Sequence, residues 1–193
     1  MRLAVVQHRC RTDAADDVAT LARAAEAALA EGATALVLPE VVSPVAVQGL
    51  EPFGRVVIIA GDAAIDPEQH RRLAADPPDV LVLAPGSESE LQAEAVLELA
   101  IGLSVSLAEL IIITETSGAE PGSPGHGGSA IILLGEVLAE AVFDDQTLTA
   151  DIDLPILAPE PRAPLPVLPT ILAQRLAHHR GERPAVDYLA DLS

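Results

Sequence analysis

Six short runs rich in Val, Ile and Leu constrain the fold of this chain more than any other feature of its sequence. They read RLAVVQ, ATALVLPE, RVVIIAG, DVLVLAP, ELIIITET and SAIILL. Nearly continuous apolar runs of this length are typical of strands that are buried on both faces, as in a parallel sheet. Segments with helical spacing separate most of the runs, which indicates β-α-β units with right-handed crossovers. The sequence therefore predicts an α/β protein.

The segments between the runs carry helix and turn signals. Asp13 is placed to cap a first helix, which Gly32 would close, and the sequence Asp66-Pro67-Glu68 is typical of a second helix start. Residues 88–103 have the apolar spacing of a third helix. Beyond a Gly- and Pro-rich loop, the segments SAIILL, GEVLAEAV and QTLTADIDL predict short antiparallel strands that are joined by tight turns.

The length of 193 residues fits one domain with its own core. We predict that this α/β domain spans residues 1–154. Residues 155–193 are predicted to form a proline-rich C-terminal arm, which contains a short helix at 170–179.

Composition excludes several classes of function. The net charge is −18, the 11 basic residues are all arginines, and only 2% of the residues are aromatic. Such a chain is repelled by phosphate backbones and anionic membranes, so neither nucleic acid nor a membrane is an expected partner. Cys10 is the only cysteine, which excludes a disulfide or a thiolate metal cluster within one chain. No secretory signal is visible at the N-terminus, so we expect a cytoplasmic protein. We also predict that the protein has no metal and no cofactor.

Two stretches of the sequence resemble the signatures of the nitrilase, or carbon–nitrogen hydrolase, superfamily. LAVVQ, a helix and EGATALVLPE are similar to its N-terminal signature, and GHGGSAIILLGEVLAEAVFDDQTLTADIDL is similar to its C-terminal one. The resemblance covers residues 1–43 and 55–154. It implies an α-β-β-α sandwich, here reduced by an internal deletion, with a mixed sheet whose C-terminal strands are antiparallel. It also implies chemistry with a Cys nucleophile, a Glu base and a Lys that stabilises the oxyanion.

Only one member of that catalytic set has a counterpart in this chain. The general-base position falls on Glu40, whereas the nucleophile position falls on Ala60 by strand alignment, or on Gly61 when the following Pro-Glu pair is aligned. The chain contains no lysine. Cys10 follows the first strand, where the family has no catalytic residue. Because only 19 residues (41–59) separate Glu40 from Ala60, we expect a deletion there and a loop over residues 41–54.

Other polar residues are weaker candidates for a site. Asp62 and His126 could line a remodelled pocket with Glu40 and perform acid–base chemistry, although loop residues of these types are more often simply solvated. Glu115 and Glu120 flank a glycine and are predicted to be solvated. Two serines that follow strands are weak candidates for a nucleophile, and two histidines at a helix end are weak candidates for metal ligands; we expect structural roles for all four: Ser43, Ser87, His178 and His179.

These observations favour a catalytically degenerate nitrilase-superfamily protein that acts as a binding, scaffold or partner subunit. The alternatives are an enzyme of altered chemistry on a small metabolite and a carbon–nitrogen hydrolase with a non-standard nucleophile. A shortened sheet would leave apolar surface uncovered, so we also expect a homodimer to which the C-terminal arm contributes.

Overall fold

The computed structural model describes residues 1–10, 14–40, 45–118, 126–141 and 144–156. Within these residues the backbone forms ten strands and three α-helices. In chain order they are β1 (Arg2–Cys10), α1 (Ala14–Ala30), β2 (Ala35–Leu38), β3 (Ala46–Gln48), β4 (Val56–Ala60), α2 (Pro67–Leu73), β5 (Val80–Ala84), α3 (Glu90–Ser106), β6 (Leu110–Ile113), β7 (Thr116–Gly118), β8 (Ala130–Leu133), β9 (Glu136–Glu140) and β10 (Gln146–Asp151).

The strands form two mixed sheets. The first has the order β10-β1-β2-β3, and β7 also pairs with β1. In it β1 and β2 are parallel, while β10 and β3 run antiparallel to their neighbours. The second sheet has the order β4-β5-β6-β8-β9; its first three strands are parallel and its last two are antiparallel. The C-terminal strands are therefore antiparallel, as predicted, but β10 belongs to a different sheet from β8 and β9.

Alternating side chains divide the core into three apolar layers. Leu3, Val5 and Val37 of the first sheet meet Val80, Val82 and Ile112 of the second, and this layer holds the two sheets together. On the outer face of the first sheet, Ala4, Val6 and Leu36 pack against Leu21 and Ala28 of α1. On the outer face of the second sheet, Leu81, Leu83 and Ile111 pack against Leu99 and Leu103 of α3. The architecture is thus the predicted four-layer α-β-β-α sandwich.

The carboxyl ends of the parallel strands of both sheets lie at the same end of the sandwich. Only Thr114 and Glu115 separate β6 in the second sheet from β7, which pairs in parallel with the last residues of β1 in the first sheet. The two sheets are therefore joined where β1 and β6 end. Loops that follow β1, β2, β4, β5 and β6 meet at this end, which is where α/β proteins place their sites.

The helix starts follow from local capping. The side chain of Asp66 accepts a hydrogen bond from the Glu68 amide at 2.9 Å, and Pro67 opens α2, as the sequence predicts. The third helix begins two residues later than predicted and continues to Ser106. Its start is fixed by Ser89, whose hydroxyl oxygen accepts from the Gln92 amide at 3.2 Å.

The prediction of a loop over residues 41–54 is wrong in part, because β3 lies within it. Strand β3 pairs antiparallel with β2, which satisfies peptide groups that would otherwise be left at the edge of the first sheet. Gly49, at φ +70°, lets the chain turn out of β3, and a Cβ at this position would overlap the backbone of Thr34. Among the described residues of this segment the only helical element is a single 3-10 turn, Glu51–Phe53.

Two further predictions concern segments at the limits of the described residues. The run ELIIITET, predicted as one strand, is divided into β6 and β7, which belong to different sheets. The predicted cap Asp13, the arm beyond residue 156 and its helix at 170–179 lie outside the described residues, so the domain boundary at 154 stays a prediction. No helix in the described ranges is both long and apolar enough to cross a membrane.

Candidate functional site

The predicted nucleophile position lies at the end of β4, in a strand-turn-helix connection. Ala60 is the last residue of β4 and pairs with Ala84 of β5. Gly61 follows at φ +60° and begins the 3-10 turn Gly61–Ile65, which leads to α2. A Cβ at Gly61 would meet no atom within 4 Å, so backbone conformation rather than space favours glycine there. The strand end therefore presents a methyl group and a hydrogen, neither of which can attack a substrate.

The three predicted acid–base residues are all exposed. Glu40 follows β2 by two residues, and Asp62 lies in the turn after β4 at the same end of the sandwich. His126 lies before β8 and lines a cavity of about 120 Å³ together with Glu90 and Glu94 of α3 and Glu140 of β9. Glu40 and Asp62 are not among the residues that line this cavity. The structure thus places the side chain of His126 beside α3, while its backbone pairs with Ser117 of β7.

Glu115 is the main site residue that the sequence analysis missed. It was predicted to be solvated, but it is only 3% exposed, between the end of β6 and the start of β7. Its carboxylate accepts hydrogen bonds from the hydroxyl of Ser87 at 2.6 Å and from the amide of Ser87 at 3.0 Å. Burial raises the pKa of Glu115 from 4.5 to about 7, and the bonds from Ser87 and from the Gly86 amide lower it in part.

Hydrogen bonds extend from Glu115 across both sheets. The amide of Glu115 donates to the hydroxyl oxygen of Ser129 at 2.9 Å, and the amide of Ser129 donates to Gln7 Oε1 at 2.9 Å. Ser87, Ser129 and Gln7 are fully buried. Such a connected polar network in an otherwise apolar region fixes the loops that it joins. One sequence signal could have predicted the burial of Glu115. It directly follows the run LIIIT, and a residue at the end of a buried strand is rarely exposed to solvent.

A second buried polar cluster surrounds His8 near the end of β1. Its Nε2 lies 2.8 Å from a carboxylate oxygen of Asp17 on α1, and its Nδ1 lies 2.7 Å from one of Asp145. Both ring nitrogens of His8 are therefore occupied by carboxylate partners. His8 ties α1 and the start of β10 to β1, which indicates a structural role. No local sequence pattern indicates this cluster, since Asp145 lies 137 residues away from His8.

Cys10, the only thiol, lies at the end of β1 opposite Gly118 of β7. Burial is the main cause that raises the pKa of the Cys10 thiol above its ordinary value, and a hydrogen bond with Thr116 opposes the shift. A raised pKa disfavours the thiolate, which is the nucleophilic form. In the described part of the chain, no three His, Cys, Asp or Glu side chains are grouped as a metal site.

The backbone arrangement is similar to solved structures of one amidase, that from Nesterenkonia sp. AN1. A variant described as an amidase from the nitrilase superfamily matches with a TM-score of 0.59 and 16% identity, over 79% of this chain and 90% of that one. This chain has the nitrilase-superfamily fold. A variant in complex with butyramide has a TM-score of 0.58 at 16% identity, and the match covers 94% of this chain and 96% of the other.

A further structure of that amidase carries acrylamide, which has undergone Michael addition at its active-site cysteine; it matches with a TM-score of 0.58 at 16% identity over 79% and 93% of the two chains. At the level of sequence, no family model and no curated protein matches the chain. At 16% identity the likeness shows the fold alone.

Proposed function

We propose that this nitrilase-fold chain has lost thiol-dependent amidase activity and acts as a binding, scaffold or partner subunit. The observation that carries the proposal is the end of β4, where Ala60 and Gly61 occupy the strand-turn-helix position that the resemblance assigns to the nucleophile. The chain also has no lysine to stabilise an oxyanion. Nucleophile and oxyanion cation act as a unit, so loss of both removes acyl-enzyme chemistry rather than weakening it.

The test measures ammonia release from butyramide and the intact mass of the protein during incubation with this amide. We expect no ammonia release above that of a Cys10→Ser control and no acyl adduct in the intact mass of the protein during incubation with the amide. Ala60→Cys should remain inactive, since the restored thiol would still have no lysine to stabilise the oxyanion. An acyl adduct on Cys10 that forms and decays during turnover would overturn the proposal.

A second candidate, a hydrolase with a non-standard nucleophile, is favoured by the bond between Ser87 and Glu115. It requires substrate access to Ser87, which is fully buried, and an oxyanion donor other than lysine. In this mechanism Ser87 Oγ attacks an amide carbonyl carbon, its proton passes to Glu115, and Glu115 returns that proton to the amine as the C–N bond breaks. Water then hydrolyses the ester, again with Glu115 as base. Amide hydrolysis that survives Cys10→Ser and is abolished by Ser87→Ala would support this candidate.

Ligand binding at the same end of the sandwich is supported by two buried hydroxyls that flank Glu115. Thr114 Oγ1 and Ser117 Oγ have no hydrogen-bond partner in the described part of the structure, and buried polar groups without partners are rare. We infer that a small polar ligand binds there, with Glu40 as a contact, and that Asp62 and His126 contribute if the ligand is large. Native mass spectrometry of the purified protein and of Glu40→Gln tests for such a molecule.

We also propose that the chain self-associates. A cytoplasmic location remains a proposal from the sequence. The support for self-association comes from apolar side chains that remain exposed on the sheets, among them Val47 and Ile58. The predicted contribution of residues 155–193 lies almost wholly outside the described residues. Light scattering at micromolar concentration tests the dimer, which has twice the 19.9 kDa mass of one chain.

A further inference from the structure

One lateral side of the sandwich is formed by the outermost strands of both sheets. Strand β3 ends the first sheet and β4 ends the second. At the opposite side, β10 lies against β8 and β9. Because the two sheets stack, β3 and β4 lie on the same side of the molecule. This β3–β4 side is where the apolar layer between the sheets reaches the surface.

The side chains that continue this layer to the β3–β4 side are not covered. Val47 lies opposite Val37, and Ile58 lies beside Val82, so each pair shares the face that points between the sheets. Val37 and Val82 are fully buried, whereas Val47 is 36% exposed and Ile58 is 41% exposed. The inner layer therefore ends in apolar side chains that face solvent.

The outer edge of β4 offers backbone groups for pairing. The carbonyl of Arg55 accepts from the amides of Asp79 and Val80, which lead into β5, so the peptide groups of Arg55 point toward β5. Peptide direction alternates along a strand, and Val56, Ile58 and Ala60 consequently present their amides and carbonyls to the outside. Residues 56–60 contain no charge and no proline, the features that usually protect an edge strand from pairing.

The sequence of this edge is complementary to itself. If two copies of β4 run antiparallel about Ile58, that residue faces its own counterpart and Val56 faces Ala60. In the same register Arg55 of one copy lies opposite Gly61 of the other, where the chain turns out of the strand. Arg55 already binds Asp76 of its own chain at 3.2 Å, and Asp62 of the other copy would add a second anion near it at both ends of the pair. This local complementarity opposes the general repulsion between two chains of net charge −18.

We propose that β4 of one copy pairs antiparallel with β4 of a second copy, about a two-fold axis at Ile58, so that the second sheets of both copies form one continuous sheet. The proposal rests on the self-association included in the proposed function and names its surface. Each outward-facing residue exchanges two backbone hydrogen bonds with its opposite. The exposed Ile58 side chains pack on each other, since opposite residues of an antiparallel pair lie on one face. The contact is isologous, the commonest form in homodimers.

Size-exclusion chromatography with light scattering on the full chain tests this arrangement. We expect the wild type at twice the 19.9 kDa chain mass and Ile58→Lys at the mass of one chain, because a lysine pair at the two-fold axis brings like charges together. Leu29→Lys is the matched control: Leu29, on α1, is 44% exposed, close to the exposure of Ile58, and its substitution should leave the dimer intact.

Charge exchange tests the register. Arg55→Glu and Asp62→Arg should each shift the protein toward the monomer, and the double variant should restore the dimer because both ends are again complementary. Circular dichroism of each variant establishes that it is folded. A dimer that withstands Ile58→Lys overturns the strand pairing alone, while a monomeric wild type overturns it together with the proposed self-association and indicates that residues 157–193 or another protein covers β4. Amide hydrolysis would refute the loss of activity and leave this proposal standing.

Discussion

Replacement of Glu115 by glutamine should remove a pH-dependent loss of stability. The pKa of Glu115 is raised by burial from 4.5 to about 7, and one pKa unit corresponds to about 1.4 kcal/mol, so the folded state disfavours the ionised form by about 3 kcal/mol. Below pH 4.5 the carboxyl is protonated in the folded and the unfolded chain and contributes nothing. Between pH 4.5 and 7 only the unfolded chain loses the proton, so the free energy of unfolding falls as the pH rises. Above pH 7 the full cost is present and the profile becomes flat.

The assay is urea unfolding at half-unit steps from pH 5.5 to 8.5, on the wild type and on Glu115→Gln. Glutamine keeps the shape and one oxygen acceptor for Ser87 but carries no charge, so the variant should lack the fall. The difference between the two free energies of unfolding should therefore grow by about 2 kcal/mol across this range, in favour of the variant. Changes in midpoint at constant slope report this difference directly.

Glu98→Gln serves as the control, because Glu98 is exposed on α3 and the chemical change is the same. It should follow the wild type at every pH. If the profiles of the wild type and Glu115→Gln are parallel, Glu115 does not retain its proton on folding, and the argument from its burial is refuted.

Three further predictions concern stability alone. Asp17→Asn removes a charged acceptor from the buried His8 and should cost about 2–4 kcal/mol in urea unfolding, whereas Asp16→Asn, on the exposed side of α1, should cost less than about 0.5 kcal/mol. Gly49→Ala should yield little folded protein by circular dichroism, since its Cβ would overlap backbone at a positive φ; Gly61→Ala, also at positive φ but in open space, should cost only about 1 kcal/mol. Leu103→Ala, in the fully buried layer under α3, should lower the free energy of unfolding by about 2–5 kcal/mol, and a loss below about 1 kcal/mol would show that the layer collapses around the gap.

The sequence predicted the parts of the fold that local chemistry decides. Continuous apolar runs specify buried strands, and Asp66 with Pro67 specifies the start of α2, because in both cases the deciding residues are neighbours. The third helix was placed two residues early, since its start depends on which residue caps it, and Ser89 does so. The run ELIIITET predicts one strand, because nothing within it signals that the chain passes from one sheet to the other.

The site was less predictable for a related reason. Glu115 resembles any loop glutamate in the sequence, and its burial follows from Ser87 and Ser129, which reach it from other loops. The environment of His8 depends on Asp145, which no local pattern connects with it. The segment that contains β3 lacks a strong strand signal, and its strand forms because β2 needs a partner on its outer edge. Long-range hydrogen bonds of this kind form only when the folded sandwich brings their partners together, so local sequence patterns do not predict them.

The pairing of β1 with β10 has a consequence for synthesis of the chain. Strand β1 leaves the ribosome before the other described strands, but its partner β10, at residues 146–151, leaves after them. The first sheet is therefore completed only when all of these strands have been made. The strands of the second sheet, by contrast, all lie within residues 56–140, so this sheet can form before β10 has been synthesised. Contacts between distant parts of a chain form slowly, and nascent apolar strands are prone to aggregate while they wait. A translation product that stops before residue 146 therefore presents the apolar residues of β1 along an unpaired edge, which makes it a substrate for chaperones.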